Sequence, residues 1–320
     1  MTREINRWCV LATVHLSLCL TGISADQRSV AQYTDTVGAH ECGVDEVGTD
    51  EVGTDESTAD EQPQGELFAT DNLVAWCIVP FDARQRGPAE RARMLQRLGL
   101  KKVAYDWRSQ HVPTFEEEIL QYKRHGLEYF AFWSWHDSME PLIRRHGIRP
   151  QIWRMLAQPQ AVSQPERVAE AAAALLPLVQ TTRRLNCPLG IYNHGGWSGE
   201  PQNMVAVVKY LREKHDARHV GIVYNFHHGH EHIAGFESLL QQMRPYLLCV
   251  NINGMMDPAE AAAGQKIVPV GAGKHEAKML RQLQRSGYRG PIGILDHRSE
   301  LDAEQSLRQN LQGLESLRTK

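Results

Sequence analysis

Six short stretches of this chain gather side chains able to move protons, hold a cation or grip a polyol. They are Asp106-Trp107-Arg108, Trp133-Ser134-Trp135-His136-Asp137, Tyr192-Asn193-His194-Gly195-Gly196-Trp197, Asn225-Phe226-His227-His228-Gly229-His230-Glu231-His232, Asn251-Ile252-Asn253-Gly254 and Asp296-His297. Imidazoles and carboxyls exchange protons near neutral pH, which marks Asp106, His194, Asp296 and His297 as candidate catalytic groups. Indole faces stack on sugar C–H surfaces while amides bind hydroxyls. Trp133, Trp135, Asn193, Trp197, Asn225, Asn251 and Asn253 are therefore candidate substrate contacts. Each has an ordinary explanation when taken alone. A tryptophan packs a rim more often than it grips a ligand, an asparagine after a strand often makes a turn, and a short His-rich tract is a weak metal signal. Their recurrence at the ends of six separate apolar runs carries the functional reading.

Those runs are the elements that must position the chemistry. Strands are expected at Leu73–Val79, Lys102–Trp107, Leu127–Trp133, Arg149–Met155, Leu189–Asn193, Val220–Asn225, Leu247–Ile252 and Ile292–Leu295. Amphipathic helices alternate with them at Pro88–Leu98, Thr114–His125, Pro165–Arg184, Pro201–His215, Gly235–Met243 and Glu276–Arg285. Pro88, Pro165 and Pro201 stand at helix starts, and Gly99, Gly126 and Gly287 follow helix ends, as backbone sterics favour. Eight strands with intervening helices over about 250 residues make an α/β chain with the rhythm of a (β/α)8 TIM barrel, whose function sits at the C-terminal strand ends. An open doubly wound sheet would carry a Gly-rich turn after its first strand. Gly271-Ala272-Gly273 is misplaced for that, so no nucleotide cofactor is expected.

The 320 residues have 42% hydrophobic and 23% charged side chains, which suits a globular body, and a net charge of −3. No global basic field exists to draw nucleic acid, and no apolar run reaches the roughly 18 residues of a membrane span. The charge is unevenly placed. Between Ser29 and Ala83 stand thirteen Asp and Glu and no Lys or Arg, whereas residues 84 to 320 hold 32 basic against 23 acidic side chains. Residues 1–25 read as a secretory signal, with Arg3 and Arg7 ahead of an apolar stretch and Ser24-Ala25 at its exit, so export to the periplasm or exterior is expected. Residues 26–66, with the repeated pentads Val47–Glu51 and Val52–Glu56, read as an acidic disordered linker. The barrel is expected over 67–320. Cys77, Cys187 and Cys249 lie in or beside strand-like runs and read as buried small hydrophobes, and Cys42 falls in the linker. No CxxC pair supports a cysteine zinc site.

The body resembles the sugar phosphate isomerase/epimerase family with the xylose isomerase-like barrel. The resemblance rests on Leu98-Gly99-Leu100-Lys101-Lys102-Val103, Lys123-Arg124-His125-Gly126-Leu127, Asn193-His194-Gly195-Gly196, Ile267-Val268-Pro269-Val270-Gly271-Ala272-Gly273 and Gly287-Tyr288-Arg289-Gly290. It implies a small-molecule carbohydrate substrate and one divalent metal, held by Glu, Asp, His and Glu on strands five to eight. Carried over by position, those ligands fall on Tyr192, Asn225, Asn251 and Leu295 or Asp296. Neutral amides are poor ligands for a transition ion, and the two glutamates, which the resemblance also assigns to moving the proton between carbons, are missing or displaced. What remains is an imidazole-rich set. His194, His228 and Asp296, with His227 or His230 nearby, could hold zinc, manganese or iron. Two readings follow: an exported isomerase or epimerase with a rebuilt site, and a sugar-binding barrel that has lost catalysis.

Overall fold

The computed structural model describes residues 67–318. The expected signal and linker (residues 1–66), with Cys42, lie outside the described residues. Eight parallel strands close into one barrel in sequence order: β1 Leu73–Trp76, β2 Lys102–Tyr105, β3 Glu128–Trp133, β4 Gln151–Arg154, β5 Leu189–Tyr192, β6 Val220–Asn225, β7 Leu247–Ile252 and β8 Ile292–Leu295. A helix of at least eight residues follows each: α1 Pro88–Leu98, α2 Phe115–Arg124, α3 Met139–His146, α4 Gln164–Arg184, α6 Pro201–His215, α7 Phe236–Met243, α9 Glu276–Arg285 and α10 Ala303–Arg318. Two one-turn pieces, α5 Gly196–Gly199 and α8 Pro258–Glu260, lie in the loops after β5 and β7. The (β/α)8 expectation holds in this form.

Local chemistry explains the elements. Helix α1 begins with Pro88 and ends at Gly99, whose φ of +73° suits a residue without Cβ. Ser163 caps α4, accepting from the Glu166 N–H while Glu166 reaches back, a reciprocal pairing that satisfies two otherwise free donors. Along the strands, side chains alternate between two cores. Leu73, Ala75, Val103, Tyr105, Leu189 and Ile191 pack outward against helices, while Val74, Trp76, Ala104, Trp153, Tyr192 and Val223 fill the lumen. Gly190 makes room for that filling, since a Cβ there would lie 2.5 Å from Val223 Cγ2 and 3.1 Å from Trp153 Cδ1.

The expected strand ends need correction. Strand β1 stops at Trp76 rather than Val79, because Cys77 turns the chain with φ +60° and Ile78 and Val79 join the loop. Strand β2 stops at Tyr105 and β5 at Tyr192, so Asp106 and Asn193 are the first residues beyond their strands. A belt of ion pairs ties the loop after β1 to its neighbours. Arg86 grips both Asp82 oxygens at 2.8 and 2.9 Å and Asp302 at 2.7 Å, and Arg91 grips both Glu118 oxygens at 2.7 Å.

Candidate active site

The C-terminal strand ends surround a cleft of about 270 Å³ lined by residues from seven of the eight sectors. Trp76, Cys77 and Phe81 come from β1 and its loop, Asp106 and Arg108 follow β2, and Trp133 ends β3. Met155 follows β4, Tyr192 and His194 come from β5 and its exit, Asn225, His227 and His228 from β6, and Leu295 and His297 from β8. The wall is aromatic. Trp76 meets Trp133 and Trp153 at centroid distances of 5.7 and 4.9 Å, and Trp133 meets Tyr192 edge-on at 4.6 Å.

Beside this wall the imidazoles cluster, with His228 6.1 Å from Tyr192 between ring centres. His228 lies 4.3 Å from His194 and 4.1 Å from His227 between ring centres, and His227 lies 5.2 Å from His297. Burial drives His227 down to about 2, His228 to about 3 and His297 to about 4, with the neighbouring imidazoles and Lys266 adding repulsion. These rings are neutral at pH 7, each offering one donor and one acceptor nitrogen. The Nδ1 atoms of His227 and His297 are buried without a hydrogen-bond partner.

Asp106 is the carboxyl of the cleft. It is buried, and burial pushes it up to about 7, against the pull of Arg108 and the Val79 N–H. Oδ1 accepts that N–H at 3.3 Å, and Oδ2 has no partner. Beside it, burial and the carboxyls of Asp106 and Asp296 hold the Cys77 thiol well above its usual range. Arg108 stands 5.4 Å over the Phe81 ring, whose edge meets His297 at 3.8 Å.

The structure thus brings Asp106, Trp133, His194, Asn225, His228 and His297 into one cleft, and places six other expected residues elsewhere. Asp296 points away from the cleft, because its Oδ1 accepts from Ser306 Oγ of α10 at 2.5 Å with Arg298 4.0 Å off. Burial pushes this second carboxyl up to about 8. Asn193 clamps β5 to β6, its amide donating to the Asn225 carbonyl at 3.0 Å and accepting the Asn225 N–H at 2.7 Å. Asn253 is buried, donating to the Gly254 carbonyl at 2.8 Å, and Asn251 is buried, its Oδ1 accepting from the Cys249 thiol at 3.6 Å beside Gly293. Trp135 bonds Asp137 at 3.0 Å and Trp197 bonds Gln164 at 2.8 Å, both packing on the outer core. Trp76, Phe81 and Met155 were not singled out in the sequence, and Cys77 was read only as a buried hydrophobe. Trp76 had a signal, since it shares strand parity with Val74 and so faces the lumen.

The expected metal set His194, His228 and Asp296 is not assembled, because Asp296 is committed to Ser306. Among the described residues no three His, Cys, Asp or Glu side chains gather in an arrangement that could hold an ion. The positions that the resemblance assigns to metal ligands are filled differently. The Tyr192 hydroxyl accepts N–H groups from Trp76 Nε1 at 3.3 Å and from Asn225 Nδ2. The Asn225 Oδ1 is taken by the His227 N–H at 3.0 Å, and Leu295 supplies no donor atom. A protonated phenol, two amides and an alkyl group do not fit a divalent ion.

This architecture is the xylose isomerase-like (β/α)8 fold shared by sugar epimerases and isomerases. Among solved structures, the E. coli 3-keto-D-glucoside 4-epimerase is 16% identical with a TM-score of 0.57, the match covering 78% of this chain and 100% of that one. A xylose isomerase domain protein of Salmonella typhimurium is 14% identical at TM-score 0.61, over 78% and 98% of the two chains. The zinc-bound IolI protein is 13% identical at TM-score 0.58, over 77% and 97%. At these identities the likeness is one of fold. No family profile and no curated protein matches the sequence.

Proposed function

We propose that this protein is an exported enzyme that isomerises or epimerises a sugar or sugar derivative by moving a proton between carbon atoms. One observation carries the reading. The cleft combines a buried carboxyl poised near neutrality with three neutral imidazoles and an indole wall, which is an acid/base set facing a sugar platform. The substrate stacks on Trp133, and Asn225 and His194 meet its hydroxyls. A base, Asp106 as carboxylate or His228 or His297 as neutral ring, takes the proton from the carbon next to a carbonyl. The electron pair moves onto the carbonyl oxygen to give an enediolate, and as that pair flows back the protonated base, or Asp106 in its acid form, delivers a proton to carbon. Asp296 and Ser306 hold the loop that carries His297. Export rests on Arg3, Arg7 and the apolar stretch after them.

The test is deuterium uptake from solvent into a panel of aldoses, ketoses and their acids and phosphates, followed by NMR. Exchange in the parent that is lost in Asp106→Asn and His228→Ala supports the reading. The replaced ligand positions favour a second reading, a barrel that binds sugar without acting on it. Tight binding with no exchange on any member of the panel would select it.

A further inference from the structure

The centre of the barrel mouth holds an arrangement that acid/base chemistry alone does not use. Tyr192 ends β5, and its ring stands among Trp76, Trp133 and Trp153, with centroids 6.1, 4.6 and 6.1 Å away. Its oxygen receives N–H groups from Trp76 and Asn225. The Asn251 amide, in register with Asn225 across β6 and β7, also faces it, with Nδ2 satisfied by nothing else. A phenol oxygen has two lone pairs and one proton. With donors on both lone pairs, its remaining capacity is to donate. Among the described residues no side-chain or backbone acceptor takes that proton, and Tyr192 lines both the main cleft and the adjoining chamber beside Gln158 and Ser198.

We propose that the Tyr192 hydroxyl takes the place of a Lewis-acid cation in this barrel, donating its proton as a hydrogen bond to the substrate oxygen where charge accumulates. Catalytically this makes it the electrophile for the enediol step, and it rests on the proton-transfer reading above. The N–H groups of Trp76 and Asn225 polarise the phenol and lock its orientation, so no reorganisation is needed as the oxygen gains charge. Tyr192, Asn225 and Asn251 stand at three of the positions that the resemblance assigns to metal ligands. Burial holds the phenol protonated, which keeps it a donor rather than an anionic ligand.

Two measurements on the full-length chain test this without knowledge of the substrate. The first titrates the chelator-stripped protein with zinc, manganese and ferrous ions by calorimetry. No site tighter than about 100 µM is expected, since a protonated phenol, two amides and an alkyl group stand at the ligand positions and, among the described residues, no three His, Cys, Asp or Glu side chains converge as ligands. One ion per chain at micromolar affinity overturns the proposal. The second uses glycolohydroxamate, a small mimic of an enediolate. The parent should bind it equally well with and without chelator, and Tyr192→Phe should bind it at least about tenfold more weakly, consistent with losing one aimed donor. Equal affinity in a folded Tyr192→Phe, chelator-sensitive binding, or no binding to the parent overturns it. If Tyr192→Phe does not fold, Trp76→Phe removes one polarising N–H and should weaken hydroxamate binding several-fold. A panel on which no sugar exchanges would sink the enzyme reading, while these two measurements still decide the role of Tyr192.

Discussion

Two regions on either side of β1 and β2 bury ionisable groups, and they treat them in opposite ways. In the belt behind the barrel mouth, Arg86 closes on Asp82 and Asp302, and Arg91 closes on Glu118 with both oxygens at 2.7 Å. In the cleft, Asp106 keeps an oxygen without a partner and the imidazoles crowd each other, and Asp296, one residue beyond the cleft-lining Leu295, also keeps one unpartnered oxygen. In the belt each charge has its partner within hydrogen-bond reach, which offsets its desolvation and fixes loop geometry. Lack of pairing shifts the cleft groups towards neutrality, where they can gain and lose protons. The contrast separates charges that hold the fold from charges that serve chemistry.

Breaking the belt should have the largest effect on stability. Arg91→Met strands the Glu118 carboxylate in the interior and should cost about 3–5 kcal/mol in denaturant unfolding, lowering the melting temperature by roughly 10 °C. The same kind of deletion in the cleft should barely change stability. Asp106→Asn removes a carboxyl that lacks a full set of partners, so the unfolding midpoint should move by less than about 1 kcal/mol. Proton exchange on any accepted sugar should instead fall about 100- to 10,000-fold. If Asp106→Asn unfolds the chain as Arg91→Met does, the division between the regions fails.

A pH series sharpens the comparison. Asp106 and Asp296 are raised to about 7 and about 8 from 3.8, so the folded chain holds more protons than the unfolded one above pH 4. Their contribution is complete below pH 4 and is lost as pH rises through 7 to 8. His227, His228 and His297 are lowered from 6.5, so their contribution is complete above 6.5 and is lost as pH falls towards 4 and below. Stability from these five groups should therefore peak near pH 6.5 and decline towards pH 8. Asp106→Asn should flatten the alkaline decline, and an unchanged slope would place Asp106 in a more polar setting. The smallest effect is expected from deleting residues 26–66, which should leave the melting temperature within about 2 °C, because an acidic repeat without apolar periodicity contributes no core.

The sequence made the barrel legible because strand and helix periods differ, and α1, α6 and α9 have the boundaries that their Pro, Gly and apolar spacing suggest. Helices α3 and α10 escaped. The first is eight residues with Pro141 inside, and the second is rich in polar side chains. The site was legible to the level of strand ends and no further, because facing alternates with every residue. At the end of β8 that single step decides everything: Leu295 lines the cleft, while Asp296 turns to Ser306. The same step separates Asn225, in the cleft, from Asn193, which spends its amide on the neighbouring strand. Nor could spacing show that a phenol and two amides from three strands meet at one oxygen, since that contact is long-range.

The aromatic wall has a practical consequence. Of the seven tryptophans, Trp76 and Trp133 line the cleft itself, and both lie within 6.1 Å of Tyr192 between ring centres. At such separations excitation passes between rings, and the emission of the cluster reports on whatever touches any member. A sugar stacked on Trp133 displaces water from an indole face and changes that emission, so occupancy of the cleft can be followed by the protein's own fluorescence. Trp107 and Trp197 bond to the Trp133 carbonyl and to Gln164 rather than lining the cleft, and supply a steady background. A Trp133→Phe chain would dim the signal from the mouth while leaving that background in place.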